Sequence, residues 1–168
     1  MLPIQFTAGT PTSGTTFTMS YWVKKYNDSG GSSDNLVFTS GSGGGSYIFW
    51  GFSTAYFDLQ PAGGNWTTSY LKSNNAYRDT SAWYHHVLTF DSTQSTQADR
   101  LKIYVNGERI TSFSVESVTA GIGASESFSF INQSGIVQSF GGLSGSGHGT
   151  EGANNQMAEI VFNDGQSY

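Results

Sequence analysis

Trp83-Tyr84-His85-His86-Val87-Leu88-Thr89-Phe90-Asp91 is followed, after a polar loop, by Leu101-Lys102-Ile103-Tyr104-Val105-Asn106-Gly107-Glu108-Arg109-Ile110. The two stretches read as two strands and the start of a third. In the second, Leu101, Ile103 and Val105 alternate with Lys102 and Tyr104. Strand side chains point to opposite faces in turn, so one face of this strand is built for a core. Asn106-Gly107 supplies the two residues that tolerate positive φ in a tight hairpin turn. His85 and His86 are neighbours on a strand, so their imidazoles must point to opposite faces.

The same alternation recurs upstream. Between Thr16 and Lys25, Phe17, Met19, Tyr21 and Val23 share a face, with Thr18, Ser20, Trp22 and Lys24 on the other. Further strands are expected over 36–39, 47–52, 56–60, 67–71, 110–115, 127–131, 136–140 and 157–162. Residues 72–82 are expected to form a loop, and Gly141 to Asn155 a long one. No window keeps a helical period with caps. Short strands separated by Gly, Ser, Asn and Pro clusters predict an all-β sandwich of about a dozen strands. At 168 residues the chain is read as one domain over 1–168.

Composition narrows the function classes. Charged residues are 11% of the chain, against about 25% in ordinary globular domains. The seven basic residues are Lys24, Lys25, Lys72, Arg78, Arg100, Lys102 and Arg109, and the net charge is −5. No basic stripe follows, so nucleic acid and anionic membranes are not expected partners. Cysteine is absent, which removes disulfides and thiolate chemistry. Met1 to Phe6 does not read as a Sec-type signal, and Tyr47 to Trp50, the longest apolar run, is too short to cross a bilayer.

Four pieces come in a telling order: TTFTMSYWVKK at Thr15–Lys25, SAWYHHVLTFDST at 81–93, LKIYVNGERI at 101–110 and MAEIVFNDGQSY at 157–168. Together they resemble the laminin-G-like domains of the concanavalin A-like lectin/glucanase superfamily. The resemblance implies a jelly-roll sandwich of two antiparallel sheets. The closing Glu159-Ile160-Val161-Phe162-Asn163-Asp164-Gly165-Gln166 resembles a subgroup found in tailed-phage and marine-virus structural proteins. That subgroup implies a virion location, other virion subunits as partners, a homo-oligomer, and a role in capsid decoration, fibre or tail. It usually runs on past this motif, so the domain is read as a piece that can belong to a longer virion protein.

The glucanase branch implies clustered carboxylates in a Glu-x-Asp-x-x-Glu pattern. Glycoside hydrolysis needs two carboxyl groups about 5–9.5 Å apart. No such cluster stands in this sequence, so the expectation is a protein without catalytic residues. A divergent hydrolase or lyase built on Glu108, Glu116 or Glu159 is the first alternative, and a purely architectural particle protein the second. A metal site on the twin histidines is not expected, because three ligands are not at hand. No cofactor is expected. The resemblance leaves calcium open at a loop rim, with Asp28, Asp34, Asp79 and Asp99 as the carboxylates that could contribute. The expected ligand is a host-surface carbohydrate. Sugars stack their apolar faces on flat aromatic rings, and neighbouring amides bond the hydroxyls. Trp50, Tyr56, Asn65, Trp66, Tyr70 and Tyr77 offer that mixture between residues 50 and 79. Trp22 and Trp83, inside the strands, are expected to be scaffold.

Overall fold

The fold was analysed in a computed structural model of the chain. The structure describes residues 3–26, 36–41, 47–50, 56–60, 71–116, 122–128, 131–142 and 155–168. The described residues form twelve strands: β1 (Ile4–Thr7), β2 (Thr16–Lys25), β3 (Leu36–Ser40), β4 (Tyr47–Trp50), β5 (Tyr56–Gln60), β6 (Leu71–Ala76), β7 (Tyr84–Asp91), β8 (Leu101–Val105), β9 (Glu108–Arg109), β10 (Phe113–Glu116), β11 (Val137–Phe140) and β12 (Asn155–Asp164). One 3-10 turn, Gln97–Asp99, precedes β8.

Seven strands make one sheet in the order β1-β11-β3-β4-β5-β6-β10, and five make the other in the order β12-β2-β7-β8-β9. Every pairing is antiparallel. The alternation read from the sequence sets the burial. Phe17, Met19, Tyr21 and Val23 of β2 are buried beside Leu88 and Phe90 of β7 and Leu101, Ile103 and Val105 of β8. Across the gap they meet Val37, Phe38, Phe57, Leu59, Leu71 and Phe140 of the larger sheet. This is the sandwich that the patterning predicts, with the jelly-roll form that the family resemblance implies.

The hairpin turn is as expected: Asn106 has φ 53° and Gly107 φ 83°, with Val105 paired to Glu108. Asn106 also accepts the His85 N–H on its side-chain oxygen at 2.8 Å. His86 points inward and is buried, while His85 lies outward on Trp22.

Several local expectations are corrected. Residues 72–76 continue β6 instead of forming a loop; of the strand expected over 67–71, residues 67–70 lie outside the described residues. The sequence Lys-Ser-Asn-Asn-Ala has no apolar alternation, yet its backbone is held on both sides by β5 and β10. Ser127, Phe128 and Ile131 are not in a strand. Phe128 instead inserts its ring edge-on against Phe17 and Phe90, with centroids at 6.0 and 5.1 Å. β1 was not foreseen because all four of its residues are exposed.

The Asp-Gly-Gln ending proves to be a clasp. The Asp164 carboxylate accepts the backbone N–H groups of Thr12 and Ser13 and the side-chain amide of Asn132. Burial pushes its pKa up, but the hydrogen bonds outweigh this and hold it below the usual carboxylate value. Gly165 has φ 78° and a Cβ there would meet Thr12 Cγ2 at 3.0 Å, so glycine fits where a side chain would collide.

Candidate functional site

The strand ends define two ends of the sandwich. At one end, Trp50 and Tyr56 flank the β4–β5 connection, and Tyr56 pairs with Ala76 at the close of β6. The chain then crosses from the larger sheet to the smaller through residues 77–83, with Tyr77 edge-on to Tyr84 at 5.6 Å. The start of β7 and the end of β2 lie at this same end, since Val23 pairs with Tyr84. Gln60 and Leu71 mark the opposite end.

The six candidate aromatics and amides therefore divide. Trp50, Tyr56 and Tyr77 sit at or beside one end; the side chain of Trp50 lies outside the described residues. Asn65, Trp66 and Tyr70 also lie outside the described residues, and their connection leaves from Gln60 and returns at Leu71, the other end. Tyr56 is partly exposed on the outer face of β5, because Phe57 and Leu59 take the core side. Lys72 Nζ stands 4.8 Å from its ring centroid. That cation covers one ring face, so a sugar could stack only on the other. Tyr77 is half-buried, and burial pushes its phenol up, with the nearby Glu108 carboxylate adding to the shift. Its ring belongs partly to the core and partly to the rim.

The rim holds a second cluster that the sequence reading passed over. Lys24, Lys25, Tyr26, Thr80 and Gln156 line a small cavity of ≈ 100 Å³. The signal was present, as Lys24 and Lys25 are the one adjacent pair among seven basic residues. Gln156 donates its amide to Tyr26 Oη at 2.8 Å. Asp79 turns its Oδ1 onto the backbone and hydroxyl of Ser81, at 2.8 and 2.6 Å. These bonds from Ser81, with the charge of Lys24 helping, hold its pKa below the usual value.

The carboxylates of the hydrolase alternative are dispersed. Glu159 is on β12 and Glu108 on β9, opposite edges of the five-stranded sheet. Four strand spacings of about 4.8 Å put them roughly 19 Å apart, well beyond the 5–9.5 Å range of glycosidases. Glu116 pairs with Leu71 at the far end of the larger sheet. Ser20 Oγ lies 2.8 Å from His85 Nε2, a serine–histidine contact. Among the described residues no carboxylate hydrogen-bonds that imidazole, which instead stacks on Trp22 at 4.9 Å. The pair therefore lacks the third group that orients a catalytic base.

Of the calcium candidates, the two described ones stand apart. Asp79 is at the Tyr84 end of the smaller sheet, and Asp99 precedes Leu101 at the other, paired to Arg109 at 3.3 Å. Asp28 and Asp34 lie outside the described residues. Among the described residues no three His, Asp or Glu side chains group as metal ligands, so Asp79 and Asp99 do not fit one shared ion.

Comparison with known proteins agrees with this fold. Similar structures include the heptameric SAP-like pentraxin of Limulus polyphemus, at 13% identity and TM-score 0.58 over 95% of this chain and 68% of that one. Domain 4 of a GH43 extracellular arabinanase from Geobacillus stearothermophilus, solved with arabinotriose, gives 13% identity and TM-score 0.58 over 99% and 68%. Trypanosoma rangeli sialidase gives 13% and 0.53 over 89% of this chain and 21% of that one. At such identities the likeness is one of fold. No curated protein matches the sequence. The laminin G family described as the concanavalin A-like lectin/glucanases superfamily matches residues 3–144, most of the chain, and the protein belongs to that family.

Proposed function

We infer that this domain is a non-enzymatic carbohydrate-binding module, working as an adhesion or structural part of a virus particle. The observation that supports the binding part is the end of the sandwich where the partly exposed Tyr56 closes β6 and Tyr77 packs on Tyr84, the same end as the cavity at Lys24. It joins an aromatic ring to hydrogen-bonding groups at the end of the sandwich, the combination that sugar recognition uses. The arabinanase domain of the same fold, solved with arabinotriose, supports a sugar as the ligand class. The dispersal of Glu108, Glu116 and Glu159 favours binding over bond cleavage. The virion setting rests on the closing Asp-Gly-Gln resemblance. Copies repeated on a particle would turn weak single contacts into avidity.

A glycan array probed with the wild-type domain, Tyr56→Ala and Trp66→Ala tests this reading. Binding by the wild type that is lost in Tyr56→Ala and kept in Trp66→Ala supports the Tyr56 rim. Loss only in Trp66→Ala moves the site to the 61–70 connection. No glycan bound by the wild type overturns the carbohydrate reading.

A further inference from the structure

The geometry points to a second saccharide platform, on the outer face of the five-stranded sheet, where Trp22 and Trp83 take a neutral di- or trisaccharide. The inference rests on the carbohydrate reading above and adds a site apart from Tyr56, which stands on the other sheet.

Both tryptophans are expected to be scaffold from their place in the strands, yet neither joins the core. Trp22 alternates with the buried Tyr21 and Val23, so its half-buried indole lies outside the sandwich. Trp83 directly precedes β7, in step with the outward His85, and is 40% exposed. Two indoles close together on a sheet surface, outside the core, mark a contact site.

The register fixes how the Trp22 ring stands. Trp22 is paired with His85 on one side and with Ala158 on the other. Its indole stacks on the His85 imidazole, with centroids 4.9 Å apart and planes at 26°. Neighbouring strands lie about 4.8 Å apart, so the two rings rise from the sheet side by side. One indole face is taken by His85, which Ser20 Oγ meets at Nε2 at 2.8 Å. The other face is turned towards β12, where the exposed Ala158 contributes a single methyl group. Among the described residues no other ring and no cation stacks on Trp22. The indole is thus the wall of a slot and Ala158 its floor, and the slot opens at the β12 edge of the sheet.

The flanks of the slot suit sugar hydroxyls. Gln156 pairs with Lys24 and stands on the same outer face as Ala158. It gives its amide to Tyr26 Oη and keeps its carbonyl oxygen as an acceptor. Glu159 follows Ala158 in the bulge, is exposed, and makes no hydrogen bond or ion pair among the described residues. A hydroxyl both gives and accepts, so it can meet such groups while the C–H face of its ring lies on the indole. The Glu159 carboxylate repels an acidic sugar, which makes the ligand neutral. Trp83 stands beside Lys24, one strand beyond, because Val23 pairs with Tyr84. A chain leaving the slot past Lys24 reaches Trp83 after two strand spacings, about 10 Å, the span of a di- or trisaccharide. A second copy of this chain is a poorer occupant, since it would set Glu159 and a net charge of −5 against their like.

Two-dimensional proton–nitrogen NMR with cellotriose, maltotriose, arabinotriose and trigalacturonate tests the proposal on wild type, Ala158→Leu and Trp83→Ala. Ala158→Leu fills the slot and Trp83→Ala removes a ring, both at exposed positions, and circular dichroism verifies that each variant folds. In wild type at least one neutral trisaccharide should shift the indole N–H signals of Trp22 and Trp83, with a dissociation constant on the order of 1 mM. Each variant should weaken that binding about tenfold. Neutral binding that leaves both indole signals in place, or that survives both substitutions, overturns the platform and leaves the carbohydrate reading standing. Trigalacturonate binding as tightly as the neutral chains overturns the neutral assignment. No shift with any neutral chain overturns the platform, while the glycan array decides the carbohydrate reading by itself. A dimer in sedimentation that Trp83→Ala dissociates overturns the platform and gives this face to a second copy.

Discussion

Ser73 is buried in β6, where the strand bulges outward opposite Phe57. Tyr56 pairs with Ala76 and Asp58 with Lys72, so three residues of β6 face one of β5. The ladder loses an acceptor there, and Ser73 Oγ replaces it by taking the Phe57 N–H at 3.0 Å while donating to Asn75 O. Ser73→Ala strands a buried N–H and should destabilise the fold by about 1–3 kcal/mol in urea denaturation; an unchanged midpoint would refute this role. His86 carries a second residue-level consequence. Burial, with a smaller push from His85, holds its imidazole well below the usual value. The unfolded chain therefore takes up a proton as pH falls through about 6.5, and the folded chain does not. Stability should be full above about pH 7.5 and decline as pH falls through about 6.5 toward 5. His86→Phe should flatten the decline, which a pH series of thermal melts will show. The opposite facing of His85 and His86 was legible from their adjacency. The roles of Ser73 and Thr80 were not, because hydroxyls in polar stretches give no periodic signal.

At the scale of elements, legibility followed burial. β2, β7 and β8 alternate cleanly because each buries one face, and their registers match the pattern. β1 and the polar part of β6 were missed because they are held by backbone pairing more than by apolar side chains. At Phe128 an apolar residue in a strand-like stretch fills a core gap with its ring against Phe90, without strand pairing at Ser127 or Phe128. β12 holds a feature no pattern announces. Glu159 sits at φ 50° in a bulge between Ala158 and Val161. A bulge bends an edge strand and blunts its pairing with other chains. A left-handed backbone is costly for a β-branched residue. Glu159→Val should therefore destabilise by about 1–2 kcal/mol and Glu159→Gly should be near neutral, as read by thermal melting. Equal melts for the two variants would contradict the bulge geometry.

Over the whole molecule, the two seams of the sandwich differ. The β1/β12 seam is closed by aromatic contacts: Phe6 edge-on to Phe162 at 6.4 Å, and Phe162 stacked on Phe17 at 5.5 Å. The β9/β10 seam holds a cavity of ≈ 240 Å³ lined by Leu71, Leu101, Ile103, Ile110 and Phe113. Neither seam brings two carboxylates together among Glu108, Glu116 and Glu159, and the rim gathers aromatic and donor groups instead. The family could be read from four ordered strands. The rim could not, since its parts come from β2, the 77–83 crossing and β12, which lie far apart in sequence. The central claim is that the domain holds a glycan and leaves it intact. Proton NMR of an oligosaccharide incubated with the domain tests it most directly. The account predicts broadened ligand resonances at once and an unchanged set of anomeric signals over days. New reducing-end signals, or ligand lines as sharp as in buffer, would contradict it.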